Sequence, residues 1–183
     1  MDVETFVTAK EVFLRKLSLN LDQIEIDTWG KEREIRVTAS NFGRIYKLRA
    51  TTATAKTVES LLCSTFKGNS HTNYGQQSEE KAVKCFEINK SIKTERCGLF
   101  ISKQFPYLAA SPDRVLDDRS ALVEIKCPSK SQDLSPEEAV RKKNNHILYI
   151  DRQRIETKKN HDYYFQVQGQ MLVTSISQVY FVV

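Results

Sequence analysis

Apolar and polar positions change their rhythm along this chain, and the changes mark out its elements. An opening helix is expected near Val3 to Leu17, followed by a polar connection through Trp29. A second helix is predicted from Thr38 or Ser40, whose hydroxyl can cap the free amides, through Phe42, Ile45 and Tyr46. A third covers about Thr54 to Phe66. A fourth follows the turn-forming Gly68-Asn69-Ser70 and Asn73-Tyr74-Gly75 and extends to about Asn89. Short strands fill Leu99 to Cys127. Ser135-Pro136-Glu137-Glu138 opens a further helix, with serine at the cap and proline in the first turn. Ile147 to Ile155 reads as a small hairpin, and Asp162 to Thr174 as a helix. Gln178 to Val183 closes the chain as a strand so apolar that burial on both faces is expected. The sequence stops inside that strand, so the natural protein is expected to continue.

The stretch from Ala110 to Pro128 carries the chemistry. Ala121 to Cys127 reads as a strand entered from a turn at Asp117-Asp118-Arg119-Ser120. Side chains alternate along a strand, so Glu124 and Lys126 share one face while Val123 and Ile125 take the other. The apolar piece Tyr107-Leu108-Ala109-Ala110, followed by Ser111-Pro112-Asp113, can bring Asp113 to the same edge through a hairpin. Two carboxylates and an ammonium then converge, a set suited to metal-dependent phosphodiester cleavage. Mg²⁺ takes one or two carboxylates and fills its remaining positions with water and substrate phosphate. Bound there, it lowers the pKa of an attacking water and neutralises charge on the phosphate. Lys126 can orient that water or offset the developing charge. The plainer alternative is a surface hairpin with a cross-strand Asp–Lys pair, contributing about 0.2–1 kcal/mol.

Two helices add candidates. Glu79, Ala82, Val83 and Phe86 form one stripe at helical spacing, and a carboxylate within an apolar stripe needs a partner. Its neighbour Glu80 is expected to face water and pair with Lys84. Near the C-terminus, Tyr163, Tyr164, Gln166, Gln168 and Gln170 interleave amides with aromatics. Buried glutamines can hold a phosphate, a water or a carboxylate ligand; with no partner identified, surface positions are the simpler expectation.

Composition narrows the class. A chain of 183 residues suits one domain. Its 40% hydrophobic and 28% charged residues describe an ordinary globular protein. A net charge of +5 and pI near 9.0 are compatible with a polyanionic partner. The four cysteines, Cys63, Cys85, Cys97 and Cys127, show no C-x-x-C spacing, which argues against a zinc ribbon or iron–sulfur cluster and fits reduced thiols in an intracellular protein, nuclear or cytoplasmic. No stretch approaches the roughly 18 apolar residues of a membrane span, and no signal-peptide pattern opens the chain.

Five motifs in order complete the reading: Thr38-Ala39-Ser40-Asn41-Phe42, Gly75-Gln76-Gln77-Ser78-Glu79, Ser111-Pro112-Asp113, Glu124-Ile125-Lys126-Cys127-Pro128 and Tyr164-Phe165-Gln166-Val167-Gln168. Together they resemble the YqaJ-type viral recombinase and phage lambda exonuclease family of the restriction-endonuclease-like PD-(D/E)XK superfamily. The resemblance covers Arg33 to the C-terminus, leaving residues 1–32 as an N-terminal helical extension of a single nuclease domain. It implies an α/β fold with a central mixed sheet, drawn from the Leu99–Cys127 strands and the final strand, flanked by helices. It also implies Asp113, Glu124, the Ile125 backbone carbonyl and Glu79 as the metal site, with Lys126 as catalytic lysine. Gln166 matches the active-site glutamine, with Gln168 as second choice. Arg33, Ser40 and Ser111 match positions that hold a 5′-phosphate, with Arg36 as the alternative to Arg33. Two departures stand out. An arginine of that phosphate pocket is replaced by Ser129-Lys130-Ser131-Gln132, where Lys130 offers a point charge rather than a fork. Arg114 follows Asp113 where the family usually has glycine, which implies a different turn.

The implied activity is Mg²⁺-dependent digestion of linear duplex DNA from its 5′ end, with one or two ions and Mn²⁺ able to substitute. The setting is recombination or the processing of viral or mobile-element DNA. Duplex ends are the implied partner, with room for a homo-oligomer and a single-strand annealing partner protein. An endonuclease on the same core and a DNA-binding module without catalysis are the alternatives. The presence of Glu79, Asp113, Glu124 and Lys126 together argues against the second.

Overall fold

The computed structural model describes residues 26–62, 70–142 and 147–183. The expected helix at Val3–Leu17 lies outside them. The described elements are α1 (Ile26–Glu34), β1 (Val37–Thr38), a 3₁₀ turn (Ala39–Asn41), α2 (Phe42–Tyr46), α3 (Thr54–Leu62) and α4 (Ser70–Lys90). Then follow β2 (Thr94–Glu95), β3 (Phe100–Ile101), β4 (Leu108–Ala110), β5 (Arg114–Leu116), β6 (Leu122–Ile125), a 3₁₀ turn (Ser129–Ser131) and α5 (Pro136–Arg141). The hairpin β7 (Leu148–Asp151) and β8 (Arg154–Thr157), helix α6 (Asp162–Thr174) and strand β9 (Val179–Val182) complete the chain.

The fold is α/β with mixed sheets flanked by helices, as expected, but the described strands divide into two mixed sheets and the separate β7–β8 hairpin. One has the order β2-β5-β6-β9, with β6 antiparallel to β5 and parallel to β9. The other has the order β1-β4-β3, with β4 parallel to β1 and antiparallel to β3. The hairpin that delivers Asp113 is therefore β5–β6, closed by the Asp117–Ser120 turn with Arg119 in the left-handed region at φ 57°. The apolar piece Leu108–Ala110 belongs to the other sheet.

Alternation along β6 splits its side chains between two layers. Val123 and Ile125 join Val83, Phe86, Leu116 and Ala121 in a core against α4. Glu124 takes the opposite face, beneath α6. The second core gathers Ala39, Ala110 and Val173, with Phe42, Phe100 and Leu108 at its margin. Helix α6 approaches the Ala39–Tyr46 segment closely. A Cβ on Gly169 would lie 2.5 Å from the Phe42 ring, and one on Gly43 would lie 2.5 Å from the Asp162 carboxylate. Only glycine permits that approach without something shifting.

Several expectations change. Ile26–Glu34 is helical rather than a polar connection. Helix α4 begins at Ser70, so Asn73-Tyr74-Gly75 lies inside it; the neighbouring turns outweigh the local cost of one glycine, about 1 kcal/mol. Neither Thr38 nor Ser40 caps a helix by its hydroxyl: the Thr38 and Ser40 hydroxyls bond each other at 3.0 Å, and the Asn41 amide donates to Thr38 Oγ1. Strand β9 is a half-buried sheet edge rather than a strand covered on both faces, and Tyr180 is exposed. The serine cap at Ser135 is present as a full capping box with Glu138, and Pro136 stands in the first turn.

Candidate functional site

Glu124 is 1% exposed, in the middle of the most covered strand. A carboxylate there must be fully partnered. Its Oε1 accepts from Lys126 Nζ at 2.5 Å and from Gln166 Nε2 at 2.5 Å, and its Oε2 accepts from Gln170 Nε2 at 2.6 Å. Gln166 and Gln170 are one helical turn apart on α6, so both amides hang from the face laid over β6. Gln168 is exposed, which leaves Gln166 as the glutamine of that motif at the site. Burial pushes the Glu124 carboxyl above the ordinary carboxylate range, with the Asp113 charge adding to it and Lys126 opposing it. Burial also acts to lower Lys126, yet Glu124 and Asp113 outweigh it and hold the ammonium above the usual lysine value. The ammonium rests 4.9 Å above the centre of the Tyr163 ring, a further contact that favours the cation.

Gln170, which the sequence placed in the run of amides with the surface as its simpler position, is instead part of the site. It is buried, and its Oε1 has no hydrogen-bond partner among the described residues. Its spacing from Gln166 was the available signal, since i and i+4 share a helix face.

Asp113 stands at the head of β5, and its Oδ2 accepts from the Ile125 N–H at 2.7 Å. In an extended strand the N–H and C=O of one residue point the same way. The Ile125 carbonyl is thereby directed to the side on which Asp113 lies. Glu79 arrives from α4, half-buried, and its carboxyl is pushed upward by burial and then by the Asp113 charge. Asp113 raises both glutamates, so it is the carboxylate that the two sides of the site share.

Arg114 begins β5 as a buried strand residue rather than a turn. It donates through Nη1 to the Asp113 carbonyl at 2.7 Å and to Glu79 Oε1 at 3.3 Å, and through Nη2 to Glu80 Oε1 at 2.5 Å. Glu80 thus pairs with Arg114 and Arg96 instead of Lys84, because β5 and the β2–β3 connection each bring an arginine to it. A cleft of about 420 Å³ opens here, lined by Glu79, Ser111, Asp113, Arg114 and Arg96 among others. Cys97 also lines it, donating to the Pro112 carbonyl, with burial pushing its thiol up to about 12. Cys85, Cys97 and Cys127 are free thiols.

The phosphate candidates divide. Parallel pairing sets Thr38 opposite Ala109, so Ser40 and Ser111, each two residues further on, emerge from the same end of adjacent strands. Ser111 lines the cleft and Ser40 is exposed. Arg36 is buried and tied to the Pro106 and Glu32 carbonyls at 2.9 and 2.7 Å, and to the Glu32 carboxylate, so its role is to anchor α1. Arg33 is not among the cleft-lining residues; burial lowers its guanidinium pKa. Lys130 is exposed in the 3₁₀ turn after Pro128.

No three His, Cys, Asp or Glu side chains among the described residues close into a preformed metal cage. Two carboxylates and a carbonyl beside an open cleft do suit Mg²⁺, which keeps several waters and takes the rest of its shell from substrate phosphate. Burial raises Glu79 and Glu124 and the Asp113 charge adds to it, a crowding of carboxylates that a cation would relieve.

The fold is that of the alkaline exonucleases. LHK-Exo, an alkaline exonuclease from Laribacter hongkongensis, matches with a TM-score of 0.62 at 22% identity over 85% of this chain and 72% of that one; the match to its complex with dAMP has the same values. A phage-related exonuclease from Haemophilus somnus 129PT matches with a TM-score of 0.54 at 19% identity, over 83% and 69%. No curated protein matches the chain. The model of the YqaJ-like viral recombinase domain matches residues 28–177, and the chain belongs to that family. Membership supports a nuclease. Among the described residues, no helix is long and apolar enough to cross a membrane.

Proposed function

We propose that this chain is a divalent-metal-dependent deoxyribonuclease that digests linear duplex DNA from its 5′ end, in recombination or in processing viral or mobile-element DNA. The observation that carries the reading is Glu124, a carboxylate 1% exposed yet held by Lys126, Gln166 and Gln170 beside Asp113. Such a group is costly to bury for structure alone. Asp113, Glu124 and the Ile125 carbonyl would hold a Mg²⁺ or Mn²⁺ ion, with Glu79 joining from α4. The chemistry the ion supplies there is to polarise a phosphate and acidify a water.

The protein's own groups do the rest. Gln166 and Gln170 fix the Glu124 carboxylate so that its oxygens cannot turn away. Lys126, cationic and pinned between Glu124 and Tyr163, stands ready to orient a water or neutralise a phosphate oxygen. Ser111 in the cleft, with Ser40 and Arg33 from beyond its lining, would receive the 5′-phosphate. The dAMP complex of LHK-Exo favours the end-digesting form, since a deoxynucleoside monophosphate is what such an enzyme releases.

The test is a linear duplex labelled at both ends, with and without 5′-phosphate, beside a closed circle, each with Mg²⁺. Progressive loss of the linear form alone supports the proposal. Cutting of the circle identifies an endonuclease, and binding without cutting identifies a DNA-binding module.

A further inference from the structure

The site has two sides, and they are not equivalent. On the α6 side, Glu124 is met by an ammonium and two amides, and Asp113 lies next to it. On the α4 side, Glu79 is met by the guanidinium of Arg114. That arginine is 6% exposed, and its position follows from the packing of β5 on α4. Leu116 packs with Val83 and Phe86; one pleat earlier Arg114 meets Glu79 and Glu80, one turn earlier on the helix. The fork also holds the Asp113 carbonyl at 2.7 Å, so it is braced at three points and cannot swing clear without losing all of them.

We propose that Arg114 is a positioning residue that serves as a built-in cation on the Glu79 side, restricting this chain to one divalent ion, held at Asp113 and Glu124. Two cations drawn to one carboxylate repel each other. The arginine is always charged and covalently fixed, so an ion arriving at the Glu79 carboxylate would have to displace it. Glu79, held by Arg114, would then contribute to the single ion's field rather than anchor a second one. The inference rests on the metal-dependent reading above.

The experiment counts bound Mn²⁺ ions per chain, by titration calorimetry and by electron paramagnetic resonance of the free ion. Wild type should bind one ion. Arg114→Met, which keeps length and loses charge, should bind two, and Arg114→Lys should stay at one. Wild type binding two ions, or a folded Arg114→Met still binding one, would overturn the inference. Should Arg114→Met fail to fold by circular dichroism, the wild-type count decides alone. Two bound ions with Mn²⁺-dependent DNA cleavage would overturn only the restriction by Arg114. No bound ion and no cleavage would remove the nuclease reading with it.

Discussion

Gln170 donates to Glu124 Oε2 at 2.6 Å, across 46 residues of sequence, and both side chains are 1% exposed. Removing the amide leaves a buried carboxylate oxygen without its donor, at a cost of about 1–3 kcal/mol. Gln170→Leu should therefore lower Tm by roughly 2–12 °C, at about 2–4 °C per kcal/mol for a chain of this size. Gln166→Leu removes a donor from the less buried end of the same carboxylate. Its Tm loss should be smaller, while cleavage falls about 10–100-fold, the usual range for residues that orient a metal ligand. Thermal melts and initial rates on one preparation of each variant check both.

What the sequence made legible and what it concealed divide by distance along the chain. Glu124 and Lys126 could be placed together from the alternation of one strand, and Asp113 beside them because a hairpin brings it there, although that hairpin is β5–β6 and not one through Leu108–Ala110. The capping box at Ser135 and the β7–β8 hairpin are similarly local. Gln170 was not legible, because a glutamine on a helix looks the same whether its partner is water or a carboxylate from a distant strand. Helix α1 was missed because its sequence, Ile-Asp-Thr-Trp-Gly-Lys-Glu-Arg-Glu, is mostly polar. The split into two sheets rests on hydrogen bonds between strands of two to four residues, too short to carry a pairing signal.

Stability should depend on pH through Glu79. Burial and then Asp113 raise its folded pKa above the ordinary carboxylate value of 4.5. Its contribution is complete below that value and is lost as pH rises through the folded pKa. Exposed Glu80 and half-buried Glu87 shift the opposite way, so the comparison must be between wild type and Glu79→Gln. In metal-free buffer, the Tm of wild type relative to Glu79→Gln should fall as pH rises from 4.5 to neutral. A constant difference across that window would contradict the burial of this carboxylate.

Two glycines should respond oppositely to alanine. Gly169→Ala drives a methyl to 2.5 Å from the Phe42 ring, prising α6 from the Ala39–Tyr46 segment. Overpacking of this kind costs about 1–3 kcal/mol. Because α6 carries Gln166 and Gln170, cleavage should fall as well. Nothing lies within 4 Å of a Cβ on Gly30 inside α1, so Gly30→Ala should stabilise by about 0.5–1 kcal/mol. Denaturant melts of the two variants against wild type provide the check.

The proposed phosphate pocket predicts substrate-dependent losses. Ser111→Ala and Arg33→Ala should each slow digestion of 5′-phosphorylated duplex more than that of 5′-hydroxyl duplex, by about tenfold for a charge-assisted contact of 1.5 kcal/mol or so. Arg36→Ala should instead lower Tm and affect both substrates alike, because Arg36 anchors α1 to the Pro106 loop. Equal losses on both substrates for Arg33→Ala would assign that residue to structure as well.

The central claim is cleavage of DNA at the carboxylates of Asp113 and Glu124, and one comparison tests it most directly. Purified wild type and Asp113→Asn, matched in circular dichroism, are incubated with end-labelled linear duplex and Mg²⁺, with a chelator control. Wild type should degrade the duplex with Mg²⁺ and not with the chelator, and Asp113→Asn should be slower by about 10²-fold or more, beyond the range seen for residues that only orient a ligand. Undiminished cleavage by Asp113→Asn, or cleavage indifferent to the chelator, would contradict the account.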